Sequence, residues 1–425
     1  MTDECRTLCL GDVADIVMGQ SPPGETVSAE PCGLPLLNGP TEFGQHHPSP
    51  VQFTTGVRKR AMRGDILFCV RGSTTGRMNW ADQEYAIGRG LAAIRHKRVP
   101  ELQPFVRAVV EYYLPDLLAQ ATGSTFPNVT VEQLARIPYP RLPELEQRAI
   151  AHILGTLDDK IESNRRMSET LEAMARAIFK AWFVDFEPVR AKVEGRWRRG
   201  ESIPGMPAHL YDLFSDRLVD SELGKIPEGW SAGTFGQFIT QRTERVGDRE
   251  VVVLSAVACG KLVRSDEHFT KRVYSKEIRN YLLVEQWDVA YNPSRINIGS
   301  IGMLEEPIVG AVSPVYVVAR PEAEYRWFLE FSLRRACTRE WINTLASGSV
   351  RQSLSYKDFA SIPCVIPPRH VAMHFTRVWS QLRKGINSRT NENTVLITLR
   401  DTLLPKLISG ELRVKNAQRF IGRTV

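Results

Sequence analysis

The chain has 425 residues, enough for roughly two to four domains, and its 43% hydrophobic and 24% charged residues are typical of a soluble globular protein. A formal net charge of +7 favours a polyanionic partner without proving one. No apolar run approaches the roughly 20 residues of a membrane helix, and the seven cysteines suggest no disulfide framework, so we expect a cytoplasmic protein.

Residues 1–141 are predicted to form a first globular unit of the α+β class, because short β-like runs alternate with loops rich in glycine and proline. One helix is predicted from Pro104 to Gln120, with Phe105 and Val109 on its apolar face. The predicted strands include Val51–Thr54, Asp65–Val70 and Ala92–Ile94.

A loop with the sequence RGSTTGR, residues 71–77, follows the second of these strands. Its small residues would let backbone N–H groups approach a phosphate, its hydroxyls add donors, and an arginine flanks each end. Taken alone, however, the loop is better interpreted as an ordinary hairpin turn.

The segment 142–186 is predicted to be one helix about 60 Å long. Pro143 suits the first turn of this helix, and the rest of the segment to residue 186 contains no further proline. Such a rod is too long for a single core and needs a long partner. Its apolar and small positions step by three and four in a heptad seam formed by Leu154, Leu157, Ile161, Asn164, Ser168, Leu171, Ala175, Ile178 and Trp182.

Residues 187–225 are predicted to be a linker, because glycine, proline and charged residues dominate the segment. It is long enough to carry the chain back from the end of the helix to a second globular unit. Trp197, Leu213 and Phe214 indicate that the linker packs against something.

Residues 226–366 are predicted to form that second globular unit. The run 287–291 corresponds to 64–68, and the loop NPSRINIGS at 292–300 then corresponds to the RGSTTGR loop. Arg351 and Gln352, which stand before the next long helix, have side chains able to make bidentate contacts to guanine and adenine.

A second long helix is predicted over 367–412, followed by a tail at 413–425. Both seams are polar at their centres, so an antiparallel pair would bring the polar layers together and fix the register. Two unrelated amphipathic helices, each packed on its own domain, are the alternative. The second seam is Trp379, Leu382, Ile386, Arg389, Asn393, Leu396, Arg400, Leu403 and Leu407.

A constant offset of 225 residues relates the two halves of the chain. It relates the two seams, and it relates TGSTFPNVTVEQLARIPYPRLP at 122–143 to SGSVRQSLSYKDFASIPCVIPP at 347–368. The chain is therefore interpreted as a tandem duplication of a globular domain followed by a long helix.

Motifs for catalysis are weak. Asn292-Pro293-Ser294-Arg295 only superficially resembles the Asn-Pro-Pro-aromatic motif of adenine methyltransferases, and no helix opens after the GxGxxA match at 88–93. His370 and His374 lack the glutamate of an HExxH zinc site, and no P-loop is present. We expect no catalytic residues, no metal site and no cofactor.

The sequence resembles the specificity (S) subunits of type I restriction–modification systems over nearly its whole length. Besides the paired helices and the segment at 122–143, the run AIFKAWFVDFEPVRAK at 177–192, the linker end DSELGKIPEGW at 220–230 and LLPKLISGEL at 403–412 carry the resemblance. The order of these motifs makes a chance match very improbable.

The resemblance implies an α+β fold in which two pseudo-twofold-related α/β target-recognition domains are separated by two long antiparallel coiled-coil helices. It also implies double-stranded DNA as ligand, with each domain reading one half of a split site. The residues predicted to contact DNA are Arg71, Ser73, Thr74, Arg77, Arg89, Thr125, Asn128, Arg295, Asn297, Ser349, Arg351 and Gln352.

The partners implied are methyltransferase (M) subunits, two of them expected, and restriction (R) motor-nuclease subunits. Apolar residues near the rod ends are predicted to dock the M subunits, with packing on the protein's own globular units as the alternative. A self-contained methyltransferase or nuclease, and a DNA-binding protein without enzyme partners, remain rival functions. The predicted docking residues are Met174, Phe179, Trp182, Phe183, Leu399 and Leu404.

Overall fold

The computed structural model describes residues 8–120, 127–258, 260–269, 271, 273–346, 353–414 and 417–418. The chain forms two compact units. Unit 1 comprises Met1–Met167 with Ser388–Val425, and unit 2 comprises Ser168–Asn387. Two 40-residue helices, α5 (Glu144–Phe183) and α11 (Arg369–Ile408), each contribute a portion to both units. The predicted mixture of α and β structure with two long helices is confirmed.

Unit 1 contains nine strands and four short helices among its described residues. The strands are β1 (Ala14–Met18), β2 (Val27–Ser28), β3 (Leu34–Leu37), β4 (Gln52–Thr54), β5 (Arg60–Ala61), β6 (Ile66–Cys69), β7 (Met78–Trp80), β8 (Tyr85–Ile87) and β9 (Leu91–His96). The helices are α1 (Leu10–Val13), α2 (Gln103–Tyr112), α3 (Leu114–Ala119) and α4 (Val131–Ala135).

The single helix predicted from Pro104 to Gln120 is wrong, because the structure has two helices, α2 and α3. The break falls at Tyr113, two residues before Pro115. A proline has no backbone N–H to donate to the preceding turn, and its ring clashes with the carbonyl four residues earlier. The chain therefore restarts with Pro115 in the first turn of α3.

Unit 2 contains, between α5 and α11, five helices and twelve strands among its described residues. The helices are α6 (Glu187–Val193), α7 (Ser265–His268), α8 (Arg326–Leu333), α9 (Ala336–Leu345) and α10 (Tyr356–Ala360). The strands are β10 (Leu218–Ser221), β11 (Gly224–Pro227), β12 (Ser231–Thr234), β13 (Ile239–Arg242), β14 (Val252–Val257), β15 (Lys261–Arg264), β16 (Leu282–Val284), β17 (Val289–Tyr291), β18 (Ile301–Met303), β19 (Gly310–Val312), β20 (Val317–Pro321) and β21 (Pro363–Ile366).

Each unit contains a four-stranded antiparallel sheet of the same topology. The strand order is β1-β9-β6-β7 in unit 1 and β13-β20-β17-β18 in unit 2. The register is also the same, because Ala14 pairs with His96 and Ile239 pairs with Pro321, both at the offset of 225 residues. A second sheet in each unit includes one parallel pair, β3 with β8 and β14 with β19.

A buried aspartate closes the same turn in both units. Asp65 accepts hydrogen bonds from the Arg95 guanidinium at 2.6 Å and from the backbone N–H of Met62 at 2.8 Å. Asp288 accepts corresponding bonds from Arg320 at 2.7 Å and from the N–H of Glu285 at 2.8 Å. Both carboxylates are fully buried, so each depends on its arginine for compensation of its charge.

The segment before each long helix contacts the residues just ahead of the first strand of the four-stranded sheet in its unit. Leu10 donates its N–H to the carbonyl of Ile137 at 2.8 Å, and Phe235 donates to Ile362 at 3.1 Å. Glycine is needed beside the first contact, because a Cβ added at Gly11 would lie 2.9 Å from the Cβ of Ala135. The duplication inferred from the sequence is therefore repeated in these backbone contacts.

The two long helices run antiparallel within each unit. In unit 1, Asn164 donates to Asn393 Oδ1 at 3.0 Å and to Glu392 Oε2 at 2.7 Å, and Arg400 bonds Asp158 at 3.0 Å. In unit 2, the rings of Phe179 and Phe375 lie 5.5 Å apart and those of Trp182 and Phe375 lie 6.3 Å apart. The predicted alignment of polar seam residues holds for Asn164 and Asn393.

Three of the six predicted docking residues lie in the protein's own core. Phe179, Trp182 and Phe183 are only 4%, 3% and 2% exposed and belong to the core of unit 2, where Phe179 stacks on Phe331 at 5.2 Å. Their assignment to a docking surface is wrong, because an apolar helix stripe does not reveal whether the same chain or another chain covers it. Leu404 is half-buried against the core of unit 1.

The segment predicted as a linker is folded rather than extended. It forms α6, a 3-10 turn at Ala208–Leu213 and the β10–β11 hairpin. Trp197 and Phe214 are buried, as their composition suggested, and the Lys192 ammonium lies 3.9 Å from the centre of the Tyr211 ring.

We expect Asp65→Ala to destabilise unit 1 by about 2–3 kcal/mol, because it leaves the Arg95 guanidinium and the Met62 N–H without their acceptor. Thermal unfolding followed by circular dichroism should show the main transition lowered by roughly 5 °C or more. Asp15→Ala is the control, since Asp15 pairs with Arg95 in the strand register but is exposed. Equal melting temperatures for the two variants would contradict the role of the buried pair.

Candidate nucleic-acid interface

The RGSTTGR loop of unit 1 is a compact turn between β6 and β7. Gly76 donates its N–H to the carbonyl of Cys69 at 2.9 Å, and Cys69 donates to Arg77 at 2.9 Å. Gly72 and Gly76 have φ angles of +99° and +91°, a region that glycine adopts readily. The hairpin interpretation is therefore correct for the backbone, while the tip presents the exposed side chains of Arg71, Ser73 and Thr74.

Contacts with the segment after residue 126 hold this loop in place. Arg71 pairs with Asn128 in an isolated antiparallel bridge, and Val129 donates its N–H to the carbonyl of Val70 at 2.8 Å. The Thr75 hydroxyl lies 2.9 Å from the carbonyl of Pro127 and 2.8 Å from that of Gly72. The structure thus brings together two regions, about 50 residues apart in sequence, that were both predicted to contact DNA.

Arg77 is directed differently from the other loop residues. Its guanidinium donates to the carbonyl of Phe43 at 3.2 Å and to that of Pro40 at 3.4 Å. These bonds tie the loop to the preceding part of unit 1. Arg89, which is exposed, donates to the Ser21 hydroxyl at 3.4 Å.

The loop of unit 2 is held in the same way. Leu354 donates its N–H to the carbonyl of Pro293 at 3.2 Å, which is the counterpart of the bond between Val129 and Val70. The Tyr291 hydroxyl donates to the carbonyl of Ser355 at 3.2 Å, and burial raises the pKa of this hydroxyl well above its usual value, so it remains a donor. Arg295 and Asn297 are exposed.

The two loops share their attachment and differ in what they present. Unit 1 offers a tip of small residues and hydroxyls beside Arg71, whereas the unit 2 loop winds into a 3-10 turn at Ile296–Ile298 with Ile298 59% exposed. Two surfaces with the same framework and different side chains can bind two different segments of the same kind of ligand. Thr125, Ser349, Arg351 and Gln352 lie outside the described residues.

A cavity of about 510 Å³ beneath the unit 2 loop contains cations that the sequence did not single out. Arg176 of α5, Arg334 of α8 and Arg339 of α9 line it together with Asn297 and Ile298 of the loop. Arg176 lies more than 150 residues before Arg334 and Arg339 in the chain, so no local motif could have revealed all three. Arg334 is paired with Glu330, which also lines the cavity, and the three arginines still give the lining a net positive charge next to the loop predicted to bind a polyanion.

Within the described residues, no group of three or more His, Cys, Asp and Glu side chains is placed to hold a metal ion. The same part of the chain contains no helix long and apolar enough to span a membrane.

Residues 3–173 match the family model described as the type I restriction modification DNA specificity domain. The chain is 25% identical over 428 aligned residues to the HindI type I specificity subunit of Haemophilus influenzae, covering 86% of this chain and 90% of that protein. It is 37% identical over 163 residues to a protein assigned as the MjaX type I specificity subunit of Methanocaldococcus jannaschii, but that match spans only 38% of either protein.

The fold is similar to a crystal structure of a type I restriction–modification S subunit from M. genitalium. The TM-score is 0.59 at 17% sequence identity, over 96% of this chain and 98% of the other. These likenesses confirm the resemblance to type I specificity subunits that the sequence predicted.

We expect Thr75→Val to loosen the unit 1 loop, because valine keeps the shape but removes the hydroxyl that bonds Pro127 and Gly72. Hydrogen exchange measured by mass spectrometry should become faster at Val129, whose N–H is bonded to Val70. Ser73→Ala, at the exposed tip, should leave this exchange unchanged. Wild-type protection of Val129 in Thr75→Val would contradict the proposed attachment.

Proposed function

Because this chain is a relative of the specificity subunits of type I restriction–modification systems, we propose that it is the DNA-recognition subunit of such a complex. It binds a bipartite, asymmetric site in duplex DNA, and each unit reads one half. It is non-catalytic by itself, so methylation and cleavage are carried out by partner subunits. We place it in the cytoplasm, where those partners and the DNA would be found.

The observation that carries this proposal is a repeated framework with two different loops. Both units have the same four-stranded sheet, the same aspartate–arginine pair and the same bond from the following segment to the loop. A duplicated reader of this kind suits two separated DNA segments, as in dimeric DNA-binding proteins. Since the loop side chains differ, the two half-sites should differ as well.

We also propose that the long helices scaffold two M subunits, with R subunits joining the complex. Exposed apolar side chains on α5 and α11 support a protein partner here. Met174 and Leu399 of the predicted docking set are 48% and 44% exposed, and Val395, one turn before Leu399, is 67% exposed.

The test of DNA recognition is selection from a random duplex library by the chain together with its M subunits. We expect two short conserved segments of different sequence separated by an unspecified gap. Arg71→Ala should relax preference or weaken affinity at one segment only, and Arg295→Ala at the other only, by about 1–3 kcal/mol for a base contact.

Arg63→Ala is the matched control, because Arg63 is an exposed arginine of unit 1 outside the loop. It should leave both selected segments unchanged. Selection of a single continuous site would contradict the bipartite proposal, and so would an Arg71→Ala effect spread equally over both segments.

For the scaffold, we expect Leu399→Asp to weaken association with the M subunits, since it places a charge on the exposed apolar surface of α11. Size-exclusion chromatography of the mixed subunits would show the chain eluting apart from them. Val193→Asp, at another exposed apolar residue outside both long helices, should leave the complex intact. An intact complex with Leu399→Asp would remove this surface from the docking site.

A further inference from the structure

Trp287 of unit 2 has an unusual backbone conformation for a bulky residue. Its φ is +77°, in the left-handed region that favours glycine. The corresponding residue of unit 1 is Gly64, with a φ of +89°. Both donate the same hydrogen bond, from Gly64 to the carbonyl of Ala81 and from Trp287 to that of Leu304, each at 2.7 Å. Unit 2 therefore keeps a strained tryptophan in a turn where its duplicate has the residue best suited to it.

The Trp287 side chain contacts α8. Its ring lies edge-on to Trp327 with the centroids 5.6 Å apart, and the Arg326 guanidinium lies 4.4 Å from its centre. Trp327 in turn packs edge-on against Trp379 of α11 at 5.8 Å. These three tryptophans form an aromatic bridge from the turn to the long helix.

An ion pair joins the same two regions a few residues away. Arg383, one helical turn after Trp379, donates to both carboxylate oxygens of Glu305 at 2.9 and 3.0 Å. Glu305 directly follows Leu304, whose carbonyl accepts the N–H of Trp287. The aromatic bridge and the ion pair therefore fasten one turn to α11 at two points.

At the corresponding positions, all among its described residues, unit 1 has neither attachment. The residues corresponding to the aromatic bridge are Gly64, Leu102 and Leu154, and those corresponding to the ion pair are two acids, Asp82 and Asp158. Asp158 bonds Arg400 of α11 instead, and Asp82 accepts from the Tyr85 hydroxyl. The strained tryptophan is thus specific to unit 2 and is not needed to form the shared sheet.

We propose that Trp287 is a positioning residue for DNA recognition by unit 2. Strand β17 begins two residues after Trp287 and leads directly into the loop at residues 292–300. Through the aromatic bridge, Trp287 fixes the position of this strand and loop relative to α11. The ion pair of Glu305 with Arg383 reinforces this attachment. How strongly the protein discriminates against a wrong gap length between the half-sites depends on this attachment, whereas its base preference depends on the loop. This inference rests on the proposed function.

The test is Trp287→Gly, which introduces the residue that unit 1 has in the same turn and keeps the left-handed backbone. Wild-type chain with its M subunits should bind DNA whose gap is changed by one base pair at least tenfold more weakly than the selected site. In Trp287→Gly this discrimination should fall to less than threefold, while the selected bases of both half-sites stay the same. A merely structural role would lower binding to every gap length equally.

Glu305→Gln is the second variant, because it weakens the ion pair without changing the turn, and it keeps the test decisive if Trp287→Gly fails to fold. Trp341→Ala, at a tryptophan that is 44% exposed on α9, is the control and should keep wild-type discrimination. Wild-type discrimination in both test variants, or an equal loss at all gap lengths, overturns the proposal. If wild-type chain selects no bipartite site, the proposed function fails and this proposal with it.

Discussion

The register of the two long helices depends on a polar contact in an otherwise mostly apolar seam. Asn164 is only 4% exposed, and its amide donates to Asn393 and Glu392, while Asn393 returns a bond to the carbonyl of Ile161 at 3.2 Å. A shift of either helix by one turn would leave the buried Asn164 amide without these partners, and an unpaired buried polar group destabilises the folded state. With this register, Asp158 meets Arg400 in unit 1.

The protein repeats one structural framework in its two units. The aspartate–arginine pairs, the sheet registers and the backbone bonds of Leu10 and Phe235 are internal to each unit and recur at nearly constant offset. Only the tips of the loops at 71–77 and 292–300 stand outside this framework, because Arg77 ties the first loop to Pro40 and Phe43, and Ile296 of the second belongs to the core of unit 2. Stability and specificity can therefore change separately, because the loop tips contribute few contacts to the core.

The sequence predicted features that follow a heptad period or the constant offset between the two halves. It did not predict features that depend on how the folded elements pack against one another. Heptad spacing predicted both long helices and the pairing of Asn164 with Asn393. It could not show which apolar residues the chain would cover itself, so Phe179 was wrongly assigned to the surface. Composition placed Arg71 and Arg77 together in one loop, but only the structure shows Arg77 bonded to backbone carbonyls.

The central claim is that this one chain determines a two-part DNA sequence for a modifying complex. Single-molecule sequencing of methylated bases in the host genome, with and without this chain, tests it most directly. We predict a bipartite methylated motif whose two halves differ and which disappears when the chain is deleted. A methylation pattern unchanged by the deletion would contradict the account.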